Sequence, residues 1–302
     1  MRHLLLKSLL LGLAAAFPAA ATAQPWTKQV KAVQKQIAAA RRADPAAFST
    51  LAAVKARVPE LDRKKRGRLA AVTPLLRALG PGALLPMLDE ATRPETLTGT
   101  ARTAWRVGVL EAVGALRDPR ATPVLRQVIA EESEAAVIRA AAGALGNAGD
   151  LEAVQALTTL ATTRGPKQLA VIAGMGECRR LAAARTLAGM LARRPGEELA
   201  RTLARALGEL GTAWAWETPR LAALGEGPAV RAAAAGALVD AFARYEGSVR
   251  DAAATGILLV DAPRTLELIT RARSGASRAL QLELDRLAHR VERSPLRPRT
   301  QQ

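Results

Sequence analysis

Between about residue 67 and residue 273, apolar residues recur at steps of three and four, the spacing that gathers them on one stripe of an α-helix. The stripes come in pairs, and the pairs repeat. Residues 111–125 read EAVGALRDPRATPVL and residues 143–157 read GALGNAGDLEAVQAL. Laid over one another without a gap, at an offset of 32 residues, Val113 meets Leu145, Gly114 meets Gly146 and Asp118 meets Asp150. Ala121 then meets Ala153, and Leu125 meets Leu157. Residues 173–187 (AGMGECRRLAAARTL) continue the series at an offset of 30, with Met175, Gly176, Ala183 and Leu187 in register. Ala206-Leu207-Gly208 restarts it 32 residues later, and residues 214–218 lengthen the next connection. Weaker copies lie at residues 68–90 and 249–269. One helix pair of this kind cannot bury its own apolar face. A period near 30 with two helices per unit therefore predicts an all-α fold, an α-solenoid (α-α superhelix) of stacked helix pairs.

The punctuation agrees with that reading. Gly114 and Gly146 are expected to end first helices as left-handed C-caps. Asp118, Asp150 and Asp261 stand before second helices, where a carboxylate accepts free backbone N–H groups. Pro119 is expected at a first helical position. Alanines at 140–142 and 232–235 allow close helix approach, and Leu145, Val154 and Leu157 are the expected core.

Ahead of the repeats, Trp26, Val30, Val33 and Ile37 form an apolar helical stripe, with Lys28, Lys31, Lys35 and Arg42 on another face. A second helix is expected after Asp44-Pro45, carrying Phe48, Leu51, Val54, Val58 and Leu61. The chain start reads as a secretory signal peptide, residues 1–23. Arg2 and Lys7 supply its charge, residues 8–17 its apolar centre, Pro18 a break, and Ala21-Thr22-Ala23 a cleavage site. The mature chain is then expected to begin at Gln24, exported to the periplasm or secreted. No later stretch is long and apolar enough to span a membrane. The expected division is a signal peptide at 1–23, a basic helical hairpin at 24–66, repeats at 67–273, and a capping helix with a basic tail at 274–302.

Residues 137–157 (VIRAAAGALGNAGDLEAVQAL) resemble a HEAT repeat, of the short bacterial HEAT-like type also found in phycobilisome lyases. The likeness covers residues 67–273 and is strongest at 101–192. It implies a stacked helical array. It says little of function, because the matching positions are caps and core.

Composition removes several classes of chemistry. The 302 residues include one cysteine and two histidines, so neither a disulfide framework nor a His/Cys zinc cluster is available. HEAT-type hydroxylases use His-Glu metal ligands, and His289 alone does not supply them. No serine has a nucleophile-elbow setting, and Gly174-x-Gly176 matches a helix end rather than a phosphate loop. The expectation is a protein without enzymatic activity or cofactor. Cys178, beside Arg179 and Arg180, is either an activated thiol or a small residue in a turn.

The net charge of +17 sits at the ends. Residues 24–68 hold twelve Lys/Arg against three acids, residues 286–302 hold five against one, and the body between them is nearly neutral. A HEAT-like DNA glycosylase would be basic along its groove, which argues against that reading. The favoured function is a protein-binding scaffold whose partner lies on concave second helices. There Arg120, Arg126, Gln127, Gln155, Thr158 and Arg185 are the candidates. Trp214 and Trp216 either anchor a partner or fill an irregular gap. The alternative is polyanion binding (nucleic acid, acidic glycan or anionic lipid) through Lys28, Lys31, Lys35, Arg63, Lys64, Lys65, Arg66 and Arg68.

Overall fold

The computed structural model describes residues 26–67 and 69–294. The expected signal segment, the start at Gln24, Arg68 and the last residues of the basic tail lie outside them. The described chain is helical, with no strand. It opens with α1 (Thr27–Ala43) and α2 (Pro45–Lys64). Pairs follow: α3 (Thr73–Arg77) with α4 (Leu84–Thr92), α5 (Gly99–Leu116) with α6 (Ala121–Glu131), and α7 (Ala135–Ala148) with α8 (Leu151–Thr162). Next, α9 (Gln168–Gly174) runs into a 3-10 turn, Met175–Glu177, and pairs with α10 (Leu181–Ala192). Then α11 (Glu197–Leu210) is joined through the four-residue helices α12 (Ala213–Trp216) and α13 (Pro219–Ala222) to α14 (Gly227–Arg244). The described chain closes with α15 (Gly247–Val260), α16 (Thr265–Ser274) and α17 (Arg278–Glu292).

The pairs stack into two layers, an all-α solenoid. First helices α3, α5, α7, α9, α11 and α15 pack side by side, and second helices α4, α6, α8, α10, α14 and α16 form the other layer. Helix α2 covers the N-terminal end of the stack against α5, while α1 lies across α4 and α6. At the other end α17 packs on α16 and α15. Between the layers the expected large side chains are buried. Leu145 and Leu157 are fully enclosed, Val154 nearly so, joined by Ile172, Met175, Leu187 and Leu207. Each such side chain contributes about 1.5–3 kcal/mol over an exposed one.

The glycines have a different task from the one expected. Gly114 and Gly146 lie inside α5 and α7, buried, not at their ends. A Cβ on Gly114 would lie 2.6 Å from the Ala144 Cα, and one on Gly146 would lie 3.0 Å from the Cys178 backbone nitrogen. Gly208 similarly faces the Gly256 Cα at 2.7 Å. These positions hold glycine because neighbouring first helices touch backbone to backbone. The left-handed caps come three residues later, at Arg117 (φ 54) and Gly149 (φ 66).

The aspartates divide into three cases. Asp150 is an N-cap whose carboxylate accepts the Ala153 N–H at 2.7 Å. It also accepts the Thr122 hydroxyl at 3.1 Å, tying one repeat to the next. Asp118 holds the turn before α6, accepting the Arg120 N–H at 2.9 Å, and Pro119 sits in that turn rather than at the first helical position. Asp261 ends α15 in the left-handed region (φ 38), so it is a C-cap of the first helix. Asp150→Ala should cost about 1 kcal/mol in urea unfolding. Asp251→Ala, on an exposed face of α15, should stay within about 0.5 kcal/mol.

The N-terminal hairpin forms as its pattern implies. Asp44 caps α2 through the Ala47 N–H, Pro45 takes the first position, and Val30, Val33 and Ile37 are buried. Arg41 reaches Asp89, and Lys55 bridges Glu90 at 2.7 Å and Glu95 at 3.0 Å, fixing the hairpin to α4 and the segment beyond it.

A candidate binding groove across the first helices

Spacing differs between the two layers around the second and third pairs. First helices touch at glycine and alanine backbone. In the second layer, neighbours α6 and α8 are spanned by long side chains, with Arg126 Nη1 reaching Glu152 Oε1 at 2.6 Å. The candidate groove lies on the first helices, whereas the expected partner surface is on the second helices.

On the first-helix face a groove of about 470 Å³ crosses α3, α5, α7, α9 and α11. Its floor is small residues, Ala136, Ala140, Gly143, Ala173 and Gly174. Its walls carry both charges. Glu111 accepts the Thr73 hydroxyl at 2.6 Å. Arg139 of α7 stands 3.9 Å from Glu209 of α11, reaching past α9. Burial pushes the Glu209 carboxyl above its ordinary range; Arg139 pulls against this and Glu177 adds to it. A channel floored by methyl groups and glycine admits an extended backbone closely, and its charged walls offer partners to polar side chains.

The expected partner residues lie on the second-helix layer, where much of their bonding is used internally. Arg120 pairs with Asp118 at 2.7 Å. Gln127 donates to Glu131 at 2.9 Å, and the Thr158 hydroxyl donates to the Gln155 carbonyl. Arg126 lies over the Trp26 ring at 4.6 Å as well as bonding Glu152. Arg126, Gln155 and Trp26 do line one hollow between α1, α6 and α8, of about 390 Å³. Arg185 is exposed on α10. The two tryptophans part company. Trp216 is buried and donates its indole N–H to the Leu210 carbonyl at 3.1 Å, whereas Trp214 is 60% exposed.

The basic N-terminal set is also split. Lys28, Lys31 and Lys35 are exposed along α1, as are Arg63 near the end of α2 and Arg66 just beyond it. Lys64 bonds Glu60 at 2.5 Å, and Lys65 bonds Asp62 and the Thr100 hydroxyl, each at 2.7 Å. The run is therefore partly neutralised in place. Arg63 and Lys64 belong to the last turn of α2, where cations suit the helix dipole.

Cys178 is buried against Gly146. Burial raises its thiol to about 12, outweighing Arg180 and Arg179, which act the other way. It is a small residue at a close crossing. A thiol reagent at about pH 8 should leave the folded protein untouched and titrate one thiol after unfolding. Because the folded thiol keeps its proton above the unfolded value of 9.0, its contribution to stability is present below pH 9. It is lost as pH rises toward 12.

Among the described residues, no group of three or more His, Cys, Asp or Glu gathers to hold a metal ion. None of the described helices is long and apolar enough to cross a membrane.

Residues 95–168, from just before α5 to the start of α9, match the family of HEAT repeats. That stretch is similar to HEAT repeats. No curated protein matches the sequence. Among solved structures, human deoxyhypusine hydroxylase in complex with glycerol overlaps 83% of this chain and 98% of its own, at 16% identity and a TM-score of 0.29. A superposition that loose carries no argument.

Proposed function

We propose that this chain is a non-catalytic protein-binding scaffold of the cell envelope, exported through its N-terminal segment, which holds an extended segment of a protein partner in the groove across its first helices. HEAT repeats generally serve as interaction scaffolds, and the match at residues 95–168 supports that class. The observation that carries the reading is the groove itself, a continuous channel floored by small residues and running over five successive first-layer elements. Its mixed-charge walls fit a polypeptide better than a uniformly anionic polymer, since Glu111, Glu177 and Glu209 would repel the latter. The signal-like pattern of residues 1–23 supports export, and the short bacterial HEAT-like type is the subclass we favour for the repeats.

The test is a photo-crosslinking amino acid placed at Ala136, which is exposed and lines the groove. Irradiation of the envelope fraction should give a discrete crosslinked protein adduct. Ala136→Trp, which fills the groove without displacing core, should abolish partner capture, whereas Arg120→Glu with Arg126→Glu should leave it. Capture lost only in the arginine variant would return the site to the second helices. Capture that falls steeply with salt and depends on Lys28, Lys31 and Lys35 would favour polyanion binding.

A further inference from the structure

About half of the arginines among the described residues have an acidic partner or a carbonyl. Three near the groove do not. Arg77 ends α3, Arg117 caps α5, and Arg220 lies in α13, separated widely in sequence. Among the described residues, none of the three side chains has an ion-pair or hydrogen-bond partner, although Arg117 and Arg220 line the same hollow. Arg179 and Arg180 line it too, but they are engaged. Arg179 donates to the Gly176 and Glu209 carbonyls, and Arg180 pairs with Glu226 at 2.9 Å.

The three are close enough to feel one another. Partial burial first, then the charges of Arg220 and Arg77, lower the Arg117 guanidinium from its ordinary value, with Glu177 acting the other way. All three are exposed, and like charges brought to one region by three separate elements attract an anion. The hollow is continuous with the groove, because Asn147 and Glu177 line both and Arg77 lines the groove itself. Its remaining wall is apolar, from Leu221 and Leu224, the latter 44% exposed.

We propose that Arg77, Arg117 and Arg220 form a carboxylate-binding site that takes the acidic end of a peptide lying in the groove. Planar guanidinium forks match carboxylate geometry, and bonds between two charged groups are the strong kind. The groove's own carboxylates decide the rest of the ligand. Glu111 and Glu209 line the groove and not the hollow, and would repel a chain that is anionic throughout, so negative charge belongs at one end and neutral or basic residues along the body. In the hollow the single carboxylate, Glu177, is outnumbered by Arg117 and Arg220. Leu221 and Leu224 fit an apolar side chain beside the acidic ones. This inference rests on the groove reading given above, and its test separates the two.

Fluorescence anisotropy with a labelled peptide, a run of Asp and Glu at one end followed by Ala and Ser, tests it on the mature chain. Arg77→Gln, Arg117→Gln and Arg220→Gln combined should weaken binding at least about tenfold while helical content and melting temperature are kept. Ala136→Trp should also abolish it. Binding lost in the groove variant but unchanged in the arginine variant would overturn the carboxylate site and leave the groove. Loss in the arginine variant alone would overturn the groove as the peptide's seat and leave an anion site. Three results would overturn the proposal outright: no binding to the wild-type chain, a single-stranded oligonucleotide of equal charge bound as tightly, or a fall in melting temperature with affinity unchanged. The last would mean that the arginines only complement helix ends.

Discussion

Gly174→Val should destabilise the protein by about 3 kcal/mol, read as a lower urea midpoint at unchanged slope. Gly174 lies at the end of α9 with ordinary helical dihedrals, so its need for glycine is not conformational. A Cβ there would lie 2.5 Å from the Arg139 carbonyl oxygen, 2.6 Å from the Ala142 Cβ and 2.8 Å from the Gly143 nitrogen. Two of these are backbone atoms of α7, which cannot swing aside as a side-chain tip can. The helices must separate, and close packing over their length is lost with them. Gly189 is the control. It sits inside α10 with nothing within 4 Å of a built Cβ, so Gly189→Ala should raise stability by about 0.5–1 kcal/mol through the helix preference of alanine. A glycine effect of the same sign at both positions would mean that the first helices are not in backbone contact.

Trp105→Ala should cost about 3–5 kcal/mol, among the largest losses available to a single truncation. The ring is 1% exposed, wedged between α4 and α5. Its indole N–H donates to Glu90 at 3.3 Å, and the Lys55 ammonium stands 5.6 Å from the ring centre. Burial lowers the Lys55 ammonium, but its bonds to Glu90 and Glu95 outweigh that and raise it overall. Removing the ring therefore opens a cavity and lets water into the joint that holds α2 to the first pair. Trp214→Ala, at an exposed ring, should stay within about 0.5 kcal/mol. Chemical denaturation of both variants checks the contrast.

The repeat, the core positions and one N-cap were legible because each depends on neighbours close in sequence. Leu145 and Leu157 follow from helical spacing, and Asp150 from its place before an apolar run. The face carrying the groove was not legible. Gly114 and Gly146 sit near helix ends in a pattern that a C-cap and a packing glycine share, and only the packed backbone separates the two. Reading them as caps hid the close contact between first helices, and with it the groove that crosses them. Arg120 and Arg126 then looked available, although Asp118 and Glu152 hold them. The Trp214–Trp216 pair stayed open in sequence because a four-residue helix turns residues two apart to different sides. Arg77, Arg117 and Arg220 carry no local signal that joins them. The fold alone brings Arg117 and Arg220 to one hollow and Arg77 to the groove beside it.

The position of α1 has a consequence for how the array comes apart. In a stack where each unit touches only the next, either end frays with equal ease. Helix α1 breaks that symmetry, because it lies across both α4 and α6 and Trp26 covers Arg126 two pairs into the array. The N-terminal pairs are strapped together and must open as one cooperative block. Among the described residues the far end has no such strap, since α17 packs chiefly on α16 and α15 of the last pair. Unzipping thus has a direction, starting at α17 and running toward the bound end.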